Sequence, residues 1–456
     1  MKKVVFIVVC IITFIFTNFN VLAKDTVYSL NKYEEEKIDF IIDSYNEEGK
    51  KDGLIAAGDI SLGTIESQKE YNHTQIVLIK YNYSGEIIWQ ITYGKECTNN
   101  LDYLEYTYDE NGAVDGYLIV MPKTYDISEA TEDNTGQASF VKYDLNGNIE
   151  WEKTSSTEEI ITINKIIPTH TVDNKVDGYI AIATVADEET AMLIKYDLTL
   201  SVIWSKKVNK ESFKNIKYLD LESVYENNNL IGYSLIKESI NNDDSKKVEL
   251  IELNADGNDE KIVNPNLDKY LTTNLAKTNN GTMLYGITDE VKLKKGDTSY
   301  YIIKYNLGLE EEWETIGEES VKKDSKLIIK SIINDKNEIE KYIIMYNSNE
   351  SDNISTDVVE INLEGLFVKK IKKIASSYYT IESFNINNNI LYFGGQINCP
   401  ADDDCQYNKS SLFLISDEDK VIEVKDNTSR NILLITTGFI VLIVLCVYIK
   451  RKKSNT

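Results

Sequence analysis

The stretch KYDLNGNIEW, from Lys142 to Trp151, decides the fold because its pattern returns through nearly the whole chain. Close copies read KYNYSGEIIW, KYDLTLSVIW and KYNLGLEEEW, and three weaker copies read ELNADGNDEK, EINLEGLFVK and LISDEDKVIE. The seven copies start at residues 80, 142, 195, 252, 304, 360 and 414, so that successive starts are 52 to 62 residues apart. This spacing is long for a helical repeat and indicates a four-stranded propeller blade.

Each unit contains an earlier hairpin as well as the one built on this pattern. In the second unit, YLEYTYD from Tyr103 alternates as a half-buried strand, and Asn111-Gly112 turns it into YLIVM. ASFVKYD and IEWEKT then form a second hairpin around Asn146-Gly147. Two hairpins make one blade, and the sequence therefore predicts an all-β, seven-bladed β-propeller of four-stranded antiparallel blades over residues 37–425.

The position two after the lysine carries a short polar side chain in every copy. Such side chains start turns by bonding their own backbone, and glycine often follows to supply a positive φ. The residue just after the lysine is tyrosine or another apolar residue, which we predict to lie in a blade interior or a seam between blades. The turn residues are Asn82, Asp144, Asp197, Asn254, Asn306, Asn362 and Ser416.

All four tryptophans of the chain occupy the last position of the pattern. A large aromatic residue at one recurring strand position can pack in the seam between neighbouring blades, and its burial stabilises by roughly 1.5–3 kcal/mol or more. The alternative role is stacking on a ligand. We predict structural blade docking by Trp89, Trp151, Trp204 and Trp313.

The two ends of the chain are typical of an exported membrane protein. Residues 1–23 resemble a cleaved signal peptide, with an uncleaved anchor as the alternative, and 24–36 form an acidic lead-in in which VYSL, from Val27, could add an outer strand to the last blade. Residues 426–431 form a short tether, and the uncharged stretch 432–449 is long enough to span a membrane once. The basic tail 450–456 indicates a cytoplasmic C-terminus, and hence an ectodomain outside the cell membrane. No LPxTG-like motif precedes the span, which argues against covalent attachment to a cell wall.

The charge of the exported part excludes one class of partner. Without the two lysines of the signal and the four cations of the tail, 43 basic residues stand against 74 acidic ones, a net charge of −31. Such a surface repels nucleic acid, so we expect no nucleic-acid partner. The charge serves solubility or attracts cations or a basic partner.

Candidates for metal binding, disulfide formation and catalysis are few. Asp402, Asp403 and Asp404 lie between Cys399 and Cys405, where an acidic loop could bind calcium or be a solvated turn, and the two cysteines could pair. No other cofactor is expected. His73 and His170 are interpreted as surface loop residues, because neither has a ligand partner at metal spacing. The sequence has no catalytic motif of the common hydrolases, metalloproteases or phosphate-binding loops.

The hairpin DGYLIV from Asp115, followed by KYDLNGNIEW, resembles the repeat of exported bacterial β-propellers whose units read DGGYIVAG and then KLDxxGNIxW. It is also similar to the tryptophan-docking repeat of quinoprotein-like (PQQ-like) propellers. The resemblance covers residues 37–425 and implies the fold. It leaves function open, because such repeats serve enzymes, assembly factors and binding proteins. The chain departs from the quinoprotein enzymes in lacking the arginine that their sites commonly use.

Three functions fit these features. The first is a membrane-anchored module that binds a protein or a cell-envelope component without catalysis. The second is a carbohydrate-active or quinoprotein-like enzyme at the mouth of the central channel, which acidic and aromatic side chains converging from several blades would favour. The third is a passive scaffold in a membrane complex, which a flat disc with a large apolar patch would favour.

Overall fold

A computed structural model describes the chain over residues 26–28, 35–61, 74–94, 100–122, 138–157, 161–171, 175–185, 190–208, 213–226, 229–265, 270–289, 298–317, 320–321, 323, 325–334, 338–350, 353–375, 379–388, 390–398, 409–417 and 422–423. These residues form thirty strands. In chain order they are β1 (Thr26–Tyr28), β2 (Glu35–Glu36), β3 (Phe40–Tyr45), β4 (Lys51–Ser61), β5 (Thr74–Asn82), β6 (Ile87–Tyr93), β7 (Tyr103–Tyr108), β8 (Val114–Pro122), β9 (Ala138–Asp144), β10 (Ile149–Thr154), β11 (Ile161–His170), β12 (Val176–Val185), β13 (Thr190–Asp197), β14 (Val202–Lys207), β15 (Phe213–Glu226), β16 (Asn229–Asn241), β17 (Lys246–Asn254), β18 (Asp259–Val263), β19 (Asn274–Ala276), β20 (Thr282–Thr288), β21 (Ser299–Tyr305), β22 (Glu311–Ile316), β23 (Ile328–Ile333), β24 (Ile339–Glu350), β25 (Asn353–Ile361), β26 (Phe367–Ala375), β27 (Tyr379–Asn387), β28 (Ile390–Asn398), β29 (Lys409–Asp417) and β30 (Ile422–Glu423).

The strands build a seven-bladed β-propeller of four-stranded antiparallel blades, which confirms the predicted fold. The first six blades are the consecutive quartets β3–β6, β7–β10, β11–β14, β15–β18, β19–β22 and β23–β26. The seventh contains β27, β28 and β29, with β1 as its fourth strand. The first strands of neighbouring blades contact one another and surround the centre of the disc. The repeat pattern forms the outer hairpin of each blade.

The chain ends close the ring differently from the other junctions. Thr26–Tyr28 pairs antiparallel with β29, opposite Ile415 to Phe413, so an outer strand near Val27 is confirmed. Among the described residues, the last copy of the pattern, LISDEDKVIE, provides β29 but no fourth strand paired with it. Its end, β30, instead pairs parallel with Ile374 and Ala375 at the edge of the sixth blade, because β1 already occupies the edge of β29.

Apolar side chains fill the seams between the blades rather than one common core. Within the described residues, seven buried clusters form, each shared by two neighbouring blades. In the seam that joins the last blade to the first, the rings of Tyr81 and Phe413 stack with centroids 4.0 Å apart. The second residue of the pattern is buried in six copies, as predicted, after the lysine of four copies and the glutamate of two: Tyr81, Tyr143, Tyr196, Leu253, Tyr305 and Ile361.

The turn that begins at the third residue of the pattern has one construction in six blades. The side-chain oxygen of Asp144, for example, accepts hydrogen bonds from the N–H groups of Asn146 and Asn148 at 2.9 and 2.8 Å. Equivalent bonds reach Asn82, Asp197, Asn254, Asn306 and Asn362, which confirms the predicted turn chemistry. The residue three positions after the capping side chain has a positive φ. It is glycine in four blades, and Leu200 and Leu309 adopt the same conformation in the other two.

The tryptophans lie half-buried on the outer strands and reach the turn of the next blade. An added Cβ at Gly257 or Gly365, both at positive φ, would lie 2.4 Å from the ring of Trp204 or Trp313, so a side chain at either glycine would displace the ring. Trp89 approaches Gly147 in the same manner, and Trp151 packs on the core shared by the second and third blades. Lysine ammonium groups cover two of the rings, Lys153 over Trp151 and Lys206 over Trp204.

Candidate functional site

A cavity of about 700 Å³ lies at the centre of the disc, where the first strands of the blades begin. We call it the central cavity. Every blade except the fourth contributes to its wall, so it is an opening of the central channel and not a gap between two blades. Its lining residues are 39–43, 103–106, 165, 272, 274, 285, 325–328, 330 and 382–385.

Aromatic side chains form much of the wall. Phe40 and Tyr103, from the first two blades, meet edge to face with ring centroids 5.6 Å apart. Tyr285 and Phe384 add rings from the fifth and seventh blades. Rings that are packed against their neighbours provide a rigid surface for apolar groups, sugars or cations.

Seven charged residues line the cavity, and five of them lie in ion pairs at distances of up to 4 Å. Asp39 pairs with Lys37 at 2.6 Å and Asp43 with Lys51 at 2.6 Å. Lys165 pairs with Asp220 at 2.8 Å, and this pairing holds the pKa of the lysine above its usual value although burial alone would lower it. At the rim, Glu382 lies 3.7 Å from Lys326 and 3.9 Å from Lys37.

The other two charged residues, Glu105 and Lys330, have no charged partner in contact within the described part of the chain. Glu105 accepts one hydrogen bond, at 2.8 Å, from the N–H of its neighbour Tyr106. Burial raises the pKa of Glu105 to about 7 against the lowering effect of that bond. Burial also lowers the pKa of Lys330, more than the nearby carboxylates of Asp43 and Glu105 raise it. Both side chains are half-buried and come from blades on opposite sides of the channel.

Irregularities in the first strands accompany several of these charges. The register of β11 shifts between Ile163 and Lys165, and that of β27 between Ile381 and Ser383, around Glu382. The register of β15, outside the cavity wall, shifts between Tyr218 and Asp220, the partner of Lys165. A bulge redirects the side chains that follow it, and bulges are frequent beside binding sites. The inner strands therefore depart from regular alternation where they carry cavity charges.

Basic and aromatic residues also lie at the other ends of the first strands, away from the central cavity. The ammonium group of Lys277 lies 4.2 Å from the ring centroid of Tyr225, and burial lowers the pKa of this lysine. His170 is the last residue of β11 and half-buried, so its interpretation as a surface loop residue is wrong. Burial, assisted by Lys277, lowers the pKa of its imidazole. Pro168 does not end the strand because an innermost strand has a free edge that tolerates proline.

A further pair of carboxylates lies near the first two blades, outside the central cavity. Asp59 accepts a hydrogen bond from the N–H of Leu101 at 2.8 Å, and burial raises its pKa to about 6. Burial and repulsion from Asp59 raise the pKa of Asp102 to about 7. Within the described residues, no group of three or more candidate ligands could hold a metal ion.

Several predicted features lie outside the described residues. These are the signal peptide 1–23, the calcium candidates Asp402, Asp403 and Asp404, the cysteines Cys399 and Cys405, His73, the span 432–449 and the tail 450–456. In the part of the chain that is described, no helix has the length and apolar character to cross a membrane.

The repeat lysine has a role that the sequence analysis did not find. In the first three blades it pairs with the aspartate that precedes the glycine of the second strand, and that aspartate accepts a hydrogen bond from a hydroxyl of the first strand at 2.6 Å. The sequence contained a signal for this pairing, because an Asp-Gly pair and the repeat lysine occur together in these three units. The groups are Lys80, Asp52 and Ser44, then Lys142, Asp115 and Thr107, then Lys195, Asp177 and Thr169.

The outer edge of the sixth blade exposes an apolar group. Leu363, Leu366, Phe367 and Val368 are 40 to 62% exposed. A pocket of about 420 Å³ adjoins them, lined in part by Tyr300 and Tyr346 of the seam between the fifth and sixth blades. The disc thus combines a deep central cavity, in which acidic and aromatic side chains converge, with one apolar edge.

Comparison with known proteins identifies no family. No protein-family model matches the sequence, and no curated protein matches it. Solved propellers resemble the structure at low identity. The chain of BBS1N, crystallised in complex with ARL6DN, shares 8% identity with a TM-score of 0.45, over 86% of this chain and 96% of that one. The Dos1 propeller shares 9% identity with a TM-score of 0.44, over 87% and 98%. The β-propeller domain of the Trilobed protease from Pyrococcus furiosus shares 10% identity with a TM-score of 0.38, over 79% and 92%.

Proposed function

We propose that this chain is an extracytoplasmic binding module, held at the cell membrane by residues 432–449, which takes part of a protein or of a cell-envelope component into its central cavity without chemical change. The observation that carries the proposal is the cavity itself. Its volume of about 700 Å³ falls within the range of known ligand sites. Its wall combines aromatic surface with charges that are mostly fixed in ion pairs, an arrangement that suits recognition.

The direction of the chain supports a site that faces the membrane. The central cavity opens where the first strands begin, which is the side of the disc where the fourth strands end. β30 runs parallel to β26 and is paired with its last residues, so Glu423 lies on the same side. A connection from Glu423 to the proposed span would then leave from the cavity side, and a ligand would be recognised in the space next to the membrane.

Site-specific photocrosslinking in native cells tests this function. A photoreactive benzoylphenylalanine replaces Lys326 at the cavity rim in one chain and Lys50, on the opposite face, in the control. We expect a discrete crosslinked species from position 326 and none from position 50. The substitution of Lys326 in a chain that lacks residues 432–456 should give no crosslinked species, because the proposed ligand is bound next to the membrane. Equal crosslinking from both positions, or none from position 326, would contradict the proposal.

A second candidate, a carbohydrate-active enzyme, is favoured by one specific observation. Glu105 has a pKa of about 7 and shares the cavity with aromatic rings, as a general acid in a glycosidase does. The other lining carboxylates, Asp39, Asp43 and Glu382, are engaged with lysines. Turnover of chromogenic glycosides that Glu105→Gln abolishes would establish this alternative. The quinoprotein-like variant has less support, since no described residue is an arginine.

A further inference from the structure

The charge balance of the central cavity leaves two groups of opposite sign unmatched. Asp39, Asp43, Lys165, Lys326 and Glu382 each have an oppositely charged partner, whereas Glu105 and Lys330 have none in contact among the described residues. Isolated charges inside a protein are costly unless something pairs with them. The two unmatched groups are therefore available to a ligand that carries one charge of each sign.

The two groups stand on opposite walls of the channel. Glu105 belongs to β7 in the second blade and Lys330 to β23 in the sixth, with two blades between them on one side and three on the other. They influence each other electrostatically but form no ion pair, and the charges of Lys165 and Glu222 act on both. The space between them is part of the cavity, and a ligand that spans it would meet a carboxylate at one end and an ammonium group at the other.

We propose that the central cavity binds a small zwitterion, a molecule with an ammonium group at one end and a carboxylate at the other, such as a free amino acid or a short peptide. Glu105 pairs with the ammonium group and Lys330 with the carboxylate. The rings of Phe40, Tyr103 and Tyr285 contact the apolar part. This inference rests on the proposed function and names the chemistry that the module recognises.

The competing explanation is that water alone fills the cavity and links the two charges. Calorimetric titration of the full chain in detergent micelles separates the two explanations. The probe is the dipeptide leucyl-glycine, compared with N-acetyl-leucyl-glycine, which lacks the ammonium group, and leucyl-glycinamide, which lacks the carboxylate. We expect each singly charged analogue to bind about tenfold more weakly or worse, because one charge-assisted contact is lost.

Two substitutions assign the contacts. Glu105→Gln should remove the preference for leucyl-glycine over the N-acetyl analogue and keep the preference over the amide. Lys330→Met should remove the preference over the amide and keep the preference over the N-acetyl analogue. Glu48→Gln and Lys50→Met make the same changes in an exposed ion pair on the opposite face and should leave both preferences unchanged. Thermal melting of each variant checks that the fold is retained.

The proposal fails if leucyl-glycine does not bind, if the three probes bind equally, or if neither cavity substitution changes its own preference. These outcomes differ from failure of the proposed function. A crosslink from position 326 together with no binding of the dipeptide would retain the binding module and reject the zwitterion as its ligand.

Discussion

The outer hairpins and the inner strands of the blades differ in how closely they follow the repeat. Six outer hairpins share one turn, with a side-chain cap at its start and a positive φ at its third position. The inner strands share little sequence, contain register shifts and carry the charges of the central cavity. The repeated part builds the scaffold, and the part that departs from the repeat forms the candidate site. Four predictions test this division.

The largest expected effect is at Gly365 in an outer turn. Gly365→Ala adds a Cβ 2.4 Å from the ring of Trp313 at a φ of +76°. We expect it to lower the free energy of unfolding by about 3 kcal/mol, through strain and overpacking together. Denaturant unfolding of the chain measures this.

Gly49→Ala is the matched control, because its φ is +73° and an added Cβ there would have no neighbour within 4 Å. It should cost about 1 kcal/mol, the backbone part alone. In a Trp313→Ala background the two alanine substitutions should cost the same. If Gly365→Ala still lowered the free energy of unfolding more than Gly49→Ala in that background, contact with the Trp313 ring would not explain the larger effect.

Trp151→Ala should cost about 2 kcal/mol, less than for a fully buried tryptophan because the ring is half-buried. Ile149→Ala is the control in the same strand, since that side chain is 47% exposed, and it should change the thermal midpoint little. Equal midpoints for Trp151→Ala and the parent protein would show that the ring contributes nothing to the seam.

Glu105→Gln tests the inner strands through pH. The pKa of Glu105 is about 7 in the folded chain, above its ordinary value, so the folded state binds a proton that the unfolded state has lost. Its contribution to stability is therefore present at low pH and decreases as the pH rises to about 7. At each pH, the free energy of unfolding of the parent is subtracted from that of Glu105→Gln. This difference should be about 1 kcal/mol more positive at pH 8 than at pH 5.

Lys165, Lys330 and Glu222 also act on Glu105, and Asp59 and Asp102 contribute pH dependence of the same sign. The comparison is therefore made as a difference between variant and parent, measured by unfolding across the pH range. Identical pH profiles would mean that Glu105 keeps an ordinary pKa.

The smallest effect is expected at Lys206, whose ammonium group lies over Trp204 and donates to the carbonyl of Gly257 at 2.5 Å in the next blade. Lys206→Met keeps the chain length and should cost about 0.5 kcal/mol. Double substitution with Trp204→Ala should cost less than the sum of the two single changes. Simple additivity would separate the lysine from the docking of the ring.

The sequence predicted the scaffold well for a physical reason. Turn caps such as Asp144 and buried residues such as Tyr143 act locally or at a fixed register, and seven copies repeat the same signal. The central cavity could not be predicted in this way. Its members come from six blades, and bulges beside Lys165 and Glu382 break the alternation from which strand faces are inferred. His170 was expected in a loop, whereas β11 continues through Pro168 to His170, because the open edge of an innermost strand tolerates proline.

The closure of the ring also sets how the molecule would respond to tension. Among the described strands, β30 is the first that a pull on the C-terminal side reaches, and two described residue pairs hold it to the sixth blade. Force would then pass along the chain to β29, which is paired over nine residues with β28 and over three with β1. Detaching β30 would lengthen the segment that leads to the proposed membrane span and leave the seven blades closed, because the strand that completes the ring comes from the other end of the chain. The short parallel pairing would thus act as a weak link that yields before the propeller does.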